Sequence, residues 1–199
     1  MKKIILASTS PRRKDIMTLL RIPFEAVASE YQEYMTLDFP PRELVQHLAL
    51  GKAKAVAQKY ENAIVIGGDT IVVFENHRLG KPKTPEHARE MLELLRGTTH
   101  QLMTGLAIID TESGRIKIDV SVSDVTFRSY SDKEIEDYIN TGEPFGHAGA
   151  YAIQGYASLF ADKIQGDYFG ILGLSVTALA RLLHEFEIDV WDFISHEHK

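Results

Sequence analysis

The stretch that most restricts what this chain can become is "AIVIGGDTIVVF", Ala63 to Phe74. Its apolar, mostly β-branched residues follow one another with no polar alternation, which predicts a strand covered on both faces. Such a strand needs a layer on each side of its sheet, so the reading is a mixed α/β fold. Gly67 and Gly68 are expected to interrupt it. Asp69 is the one charged residue of the run, and a buried carboxylate is costly unless a cation or hydrogen bonds receive it. Either it ties down a turn between two short strands, or the glycines let something approach the backbone beside it.

The remaining chain supplies the layers. Lys2 to Ser8 reads as a buried strand, followed by a helix with Ser10 as N-cap, Pro11 in its first turn and an apolar side of Ile16, Leu19 and Leu20. "FEAVASEYQEYM" reads as a strand running into a loop, and Pro40-Pro41 opens a helix to about Tyr60. Thr84-Pro85 starts another helix that stops at Gly97, and "HQLMTGLAII" returns as a strand. In "RIKIDVSVSDVTF", Ile116, Ile118, Val120 and Val122 share one face before the pattern changes phase to Val125 and Phe127; one extra residue would do this, predicting a bulge near Ser123-Asp124. Ser131 and Glu134 form a capping box for a short helix. Glu143 to Gly155 is a long connection, "SLFADKI" and "DYFGILG" read as a hairpin around Gln165-Gly166, and a last helix is expected near Ser175 to Phe186.

With 199 residues and no repeat, low-complexity tract or linker, one domain over residues 1–199 is expected. The chain has no cysteine, so neither a disulfide framework nor a thiolate metal site is available, and a reducing, cytoplasmic setting suits it. The apolar segment Ile4 to Ala7 is too short for a secretory leader, and no run approaches a membrane span. The formal net charge is -6, which disfavours general binding to nucleic acid. The sequence lacks GxxxxGK[ST], GxGxxG and HExxH patterns, so P-loop, Rossmann and zincin sites are excluded.

Against that acidic background, "LASTSPRR" places Arg12 and Arg13 in the first turn of a helix, where like-signed partial charge opposes them by about 0.3–1 kcal/mol each. An anion at the helix start would reverse the sign, with the hydroxyls of Ser8 and Ser10 also able to donate; a solvated surface pair is the alternative. Lys52 lies in the middle of the stripe formed by Val45, Leu48, Ala49 and Val56, so it either snorkels or meets an anion. Lys81 stands in "LGKPKTPEHA" between Gly80 and Pro82, and Gln154 stands among small residues in "GHAGAYAIQG". Each has a plain reading, as solvated lysine or as turn glutamine. Taken together, the arginines, lysines and carboxylate describe a site for a multiply charged phosphate with a divalent cation.

The order "LASTSPRR", "GGDT", "GKP", "AGAYAIQG" closely resembles the Maf family of nucleoside triphosphate pyrophosphatases, from about Lys3 to Phe186. The resemblance implies a mixed central sheet with flanking helices, related to inosine triphosphate pyrophosphatase, with two lobes around a nucleotide cleft. It implies a homodimer and cytoplasmic hydrolysis of a nucleoside triphosphate to the monophosphate and pyrophosphate, with Mg²⁺ or Mn²⁺. Arg12, Thr70 and Gln154 match the subgroup acting on dTTP and UTP; the subgroup acting on 7-methyl-GTP differs at all three positions. A nucleotide-binding regulator of septum formation without turnover is the non-enzymatic alternative.

By the same resemblance, Asp69 is the proton acceptor that activates water, with Lys52 and Lys81 neutralising charge on the leaving pyrophosphate. Ser8, Ser10, Arg12, Arg13, Thr70 and Gln154 bind substrate, and Glu33 and Asp69 hold the metal. This chain departs from the family pattern at Gln32, leaving Glu33 alone as the acidic residue there, and at His147, where a lysine is usual. A histidine titrates near neutrality, so phosphate affinity is expected to depend on pH.

Overall fold

A computed structural model describes residues 2–32, 38–75 and 77–195. In chain order the elements are β1 (Lys3–Leu6), α1 (Pro11–Leu19), β2 (Glu25–Ala26), α2 (Pro41–Ala57), β3 (Ala63–Phe74), β4 (His77–Leu79), α3 (Pro85–Leu95), β5 (Thr99–Asp110), β6 (Ile116–Phe127), α4 (Asp132–Asn140), β7 (Ala161–Gln165), α5 (Tyr168–Leu172), α6 (Val176–His184) and α7 (Val190–Ser195). One mixed sheet carries the order β2-β1-β3-β5-β6-β7, with β4 hydrogen-bonded to β3. β1 is parallel to β2 and β3, and the other pairings are antiparallel. No helix among the described residues is long and apolar enough to cross a membrane.

β3 is covered on both faces, as its composition requires. Val65 packs with Ala49, Ala53 and Val56 of α2, and Ile71 and Val73 pack with Leu44, Val45 and Leu48. Ile64, Ile66 and Val72 face a larger core under α1, α3, α4 and α6. The strand runs through Gly67-Gly68 without the expected interruption, because both residues keep their pairing with β5. Their glycine character serves packing instead. A Cβ on Gly67 would lie 2.4 Å from the Ala49 carbonyl oxygen, and one on Gly105 of β5 would lie 2.3 Å from that of Val45. Two missing side chains therefore let α2 rest directly on the sheet.

Three further expectations are corrected. No bulge occurs at Ser123-Asp124, since β6 stays in register with β5 from Ile116 to Thr126. The phase change is a change of covered face: Val120 packs with α2, whereas Val125 and Phe127 point to the other core. The β6–β7 pairing does shift, but between Thr126 and Phe127. The hairpin around Gln165-Gly166 has a strand only on its first side. On the second, Asp167 Oδ1 accepts from the Gly170 amide at 2.9 Å and nucleates α5, which Gly173 ends at φ 111°. On α1, Leu19 is 62% exposed, and the inward face is Arg13, Ile16 and Met17.

The capping box is present as read. Ser131 Oγ accepts from the Glu134 amide, and the Glu134 carboxylate accepts from the Ser131 amide at 2.8 Å. The features that place the site are the end of β1 and the length of β3. β3 pairs with β1 as far as Ile66 and with β4 only from Val72. Among the described residues, Gly67 to Ile71 have no strand neighbour on that edge, while the opposite edge pairs with β5 throughout. The chain leaving β1 and the loop following β4 flank this gap.

Candidate active site

Alternation along β3 sends neighbouring residues to opposite faces, and the gap opens to both. Asp69 shares its face with Gly67 and points toward α2, where Lys52 Nζ donates to its Oδ1. The side chains are 12% and 8% exposed respectively, so Lys52 neither snorkels nor sits in solvent. The close seating of α2 over Gly67 and Gly105 is what brings this lysine down to the strand. Ser29 Oγ donates to the Lys52 carbonyl at 3.3 Å, adding a tether from the segment before it.

Thr70 points to the other face and meets Arg13. The guanidinium is turned inward and nearly buried: Nε donates to the Gly173 carbonyl at 2.7 Å, Nη1 to Ser8 Oγ at 3.2 Å and Nη2 toward Thr70 Oγ1 at 3.4 Å. A Cβ on Gly68 would lie 3.2 Å from Nε, so that glycine makes room for the arginine. Thr104 Oγ1 donates to the Gly170 carbonyl at 2.7 Å, which uses its only proton. Across the 2.8 Å contact between the two threonines, Thr70 must then be the donor. The resulting chain runs Arg13, Thr70, Thr104, Gly170, and it leaves Thr70 with acceptor capacity alone.

Ser8 is also built into this network, its Oγ accepting from the Ser10 amide at 3.2 Å as it accepts from Arg13. Ser10 is the N-cap position of α1 but makes no side-chain cap bond. Arg12 is arranged differently. It is half-buried, burial depresses its pKa, and among the described residues it makes no ion pair or side-chain hydrogen bond. Lys81, exposed on the loop after β4, makes none either.

Both cations act on His147, as does the Glu143 carboxylate. A hydrogen bond from the Gly149 amide to the Gly80 carbonyl, 3.0 Å, pins the two loops together. Burial, Arg12 and Lys81 outweigh Glu143 and push the His147 imidazole down to about 4. The ring is therefore neutral across pH 6 to 8 in the free protein, and the sequence-level expectation that it titrates there is corrected on that point. Gln154 is exposed, on the turn closed by the Gly155 amide donating to the Ala152 carbonyl at 2.9 Å.

Glu33 lies outside the described residues, so its relation to Asp69 is not part of this geometry. Among the described residues no group of three or more His, Cys, Asp or Glu side chains could hold a metal ion. Asp69 supplies hard oxygen, suited to Mg²⁺ or Mn²⁺, but one oxygen already faces an ammonium. The Asp69 carboxylate fits a cation that shares it with substrate phosphates, water and a further carboxylate.

The sequence missed two groups. Thr104 becomes visible only with the β3–β5 register, which places it opposite Thr70. His100 is 1% exposed and shares a 2.7 Å hydrogen bond with the Tyr151 hydroxyl, between Phe127 and the loop carrying His147. Nothing in its neighbours "TTHQL" marks it for that position.

Several proteins of stated function are similar to this chain over nearly its whole length. A protein named dTTP/UTP pyrophosphatase from Bacillus cereus is 47% identical over 190 residues, 96% of this chain and 98% of the relative. Proteins of the same name from Bacillus mycoides and Bacillus cytotoxicus are each 45% identical, over 96% and 94% of this chain and 98% and 97% of their own lengths. The solved structure of the Staphylococcus aureus Ham1 protein aligns at a TM-score of 0.46 and 14% identity, covering 63% of this chain and 72% of that one, a likeness too slight to build on. The family of Maf-like proteins matches residues 3–186, and this chain, with its four motifs gathered around one gap in the sheet, belongs to that family.

Proposed function

We propose that the protein hydrolyses nucleoside triphosphates, dTTP and UTP foremost, to the monophosphate and pyrophosphate. The observation that carries this reading is Arg12: a desolvated guanidinium without a partner among the described residues, beside Lys81 and His147. Desolvating a cation without a counter-ion is unfavourable, and a polyphosphate chain supplies the missing charge. Relatives named dTTP/UTP pyrophosphatase, similar over nearly their whole length, support the same substrate class.

In this reading the phosphates lie along the β3 gap, with Arg12 and Lys81 on the β- and γ-phosphates and the start of α1 offering its free amides. Ser8 and Ser10 line that start. Asp69, oriented by Lys52, accepts a proton from the water that attacks the α-phosphorus, and pyrophosphate leaves toward the cationic side. Lys52 also neutralises charge as the α–β bond breaks. A Mg²⁺ or Mn²⁺ ion would be held by Asp69 and Glu33 together with the phosphates, where it supplies charge neutralisation when bound. Arg13 positions Ser8 and Thr70 rather than meeting phosphate itself.

The pyrimidine face follows from hydrogen-bond bookkeeping. Thr70 has only acceptor capacity, which suits the ring N–H of uracil or thymine, and the Gln154 carboxamide offers one donor and one acceptor to the flanking edge. Cytosine presents no N–H at that ring position. A homodimer in the cytoplasm belongs to this proposal too, with the lack of cysteine suiting a reducing compartment.

The test is pyrophosphate release from dTTP, UTP, CTP, 7-methyl-GTP and ITP with Mg²⁺ or Mn²⁺, with Asp69→Asn as control. Release from dTTP and UTP that disappears in the variant is the expected result. Turnover of another base would keep the chemistry and overturn the Thr70–Gln154 argument; no turnover of any triphosphate would favour a binding regulator.

A further inference from the structure

His147 lies with the two cations Arg12 and Lys81 but is itself uncharged near neutral pH in the free protein. Its Nδ1 is buried and has no hydrogen-bond partner among the described residues. The charged groups acting on it are Arg12 from α1, Lys81 from the loop after β4 and Glu143 from the turn after α4. Among the described residues these three are the charged groups that act on the ring, and Val72 of β3 packs on Gly149 of the same loop. Glu143 is already engaged, accepting from the Tyr156 and Ala157 amides at 3.0 and 3.2 Å.

Resting on the phosphate reading above, we propose that His147 is a proton-coupled phosphate ligand: neutral in the free protein, it takes a proton from solvent when a polyphosphate settles between Arg12 and Lys81. The sign follows from the cluster. In the free protein burial above all, and then the repulsion of Arg12 and Lys81, hold the imidazole at about 4. A polyphosphate neutralises Arg12 and Lys81 and brings further negative charge, so the field at the ring reverses. The imidazole then gains a proton, and Nδ1, without a partner among the described residues, is the ring position open to it. The cluster would thus carry two positive charges when free and three when filled. Product release and proton release become one event, and a free site avoids the full repulsion of three adjacent cations.

The probe is inorganic tripolyphosphate with EDTA present, titrated calorimetrically into the full-length protein in two buffers of different ionisation enthalpy. Wild type should take up about one more proton per ligand bound at pH 6 than His147→Lys, whose charge is permanent. Between about pH 5 and the bound-state pKa, wild-type affinity relative to His147→Lys should fall about tenfold per pH unit. Equal proton uptake in the two proteins would overturn the proposal while leaving the phosphate reading intact. Absence of tripolyphosphate binding, together with no turnover of any triphosphate, would overturn both. A readout that needs no folded variant is the imidazole Cε1–H resonance of His147 in wild type: at pH 6 it should move to the imidazolium position on adding tripolyphosphate, and a resonance that stays neutral in the saturated complex would refute the idea.

Discussion

Replacing His100 with glutamine should flatten the acid side of this protein's stability profile. The imidazole is 1% exposed, bonded to the Tyr151 hydroxyl, with Nδ1 buried and without a partner among the described residues, and burial pushes it down to about 4. Its ordinary value is 6.5. Between those two values the unfolded chain binds the proton and the folded chain refuses it, so stability is complete above about pH 6.5 and drains away as pH falls toward 4. A shift of about 2.5 units corresponds to roughly 3 kcal/mol in all, of which about 2.4 kcal/mol is lost between pH 7 and pH 4.5. Urea unfolding of wild type and His100→Gln at those two pH values isolates the term, because His147 and every carboxylate are common to both proteins. Wild type should lose about 2 kcal/mol more than the variant over that interval, whatever the variant's stability at pH 7. Equal losses would mean that His100 is not held neutral in the core.

Four other substitutions probe how the site is held. Gly67→Ala and Gly105→Ala each push against α2 and should cost about 1–3 kcal/mol by denaturant unfolding; since both lift the same helix, the double variant should cost clearly less than the sum. Arg13→Lys cannot reach Gly173, Ser8 and Thr70 from three nitrogens at once, so it should lose about 1.5–3 kcal/mol of stability and lower kcat, with no rescue by high substrate. Thr104→Val removes the acceptor that orients Thr70, so the dTTP-over-CTP ratio of kcat/KM should drop about tenfold with little change in the rate of pyrophosphate release from a saturating substrate.

Much of this was legible in the sequence because it is local. The β3 run, the capping box at Ser131 and Glu134, and the Thr84 N-cap that accepts from the His87 amide at 3.2 Å each depend on a few adjacent residues. For Lys52 the apolar stripe leaves two readings open, snorkelling or an anion, and the packing of α2 on β3 decides for the Asp69 carboxylate. What failed is what only register or tertiary packing decides. The apparent bulge in β6 arose because two cores cover opposite faces of one strand, a pattern indistinguishable in sequence from an inserted residue. Gly67-Gly68 suggests a break in the strand, whereas β3 is continuous and it is the neighbouring β1 that ends beside them. Arg12 and Arg13 looked equivalent in "SPRR", yet successive helix positions differ by 100°, enough to bury one and leave the other facing the Lys81 loop.

That division of labour gives the local cost at the helix start a cause. Arg13 is a cation whose hydrogen bonds run to Gly173, Ser8 and Thr70, so its place in the first turn is settled by the protein itself. Arg12 has no such compensation among the described residues, and burial works against its charge. Two like charges in one turn therefore have opposite standing: one is tied into the core and fixes the geometry of Ser8 and Thr70, while the other remains unfavourable until an anion arrives. The same asymmetry recurs across β3, where Thr70 is locked into a chain of hydroxyls and Asp69 faces the lysine of α2. On the proposed reading, Thr70 and Asp69 are each held by a side chain packed on the strand, and free energy withheld from the free protein at Arg12 would be returned when a polyphosphate binds there.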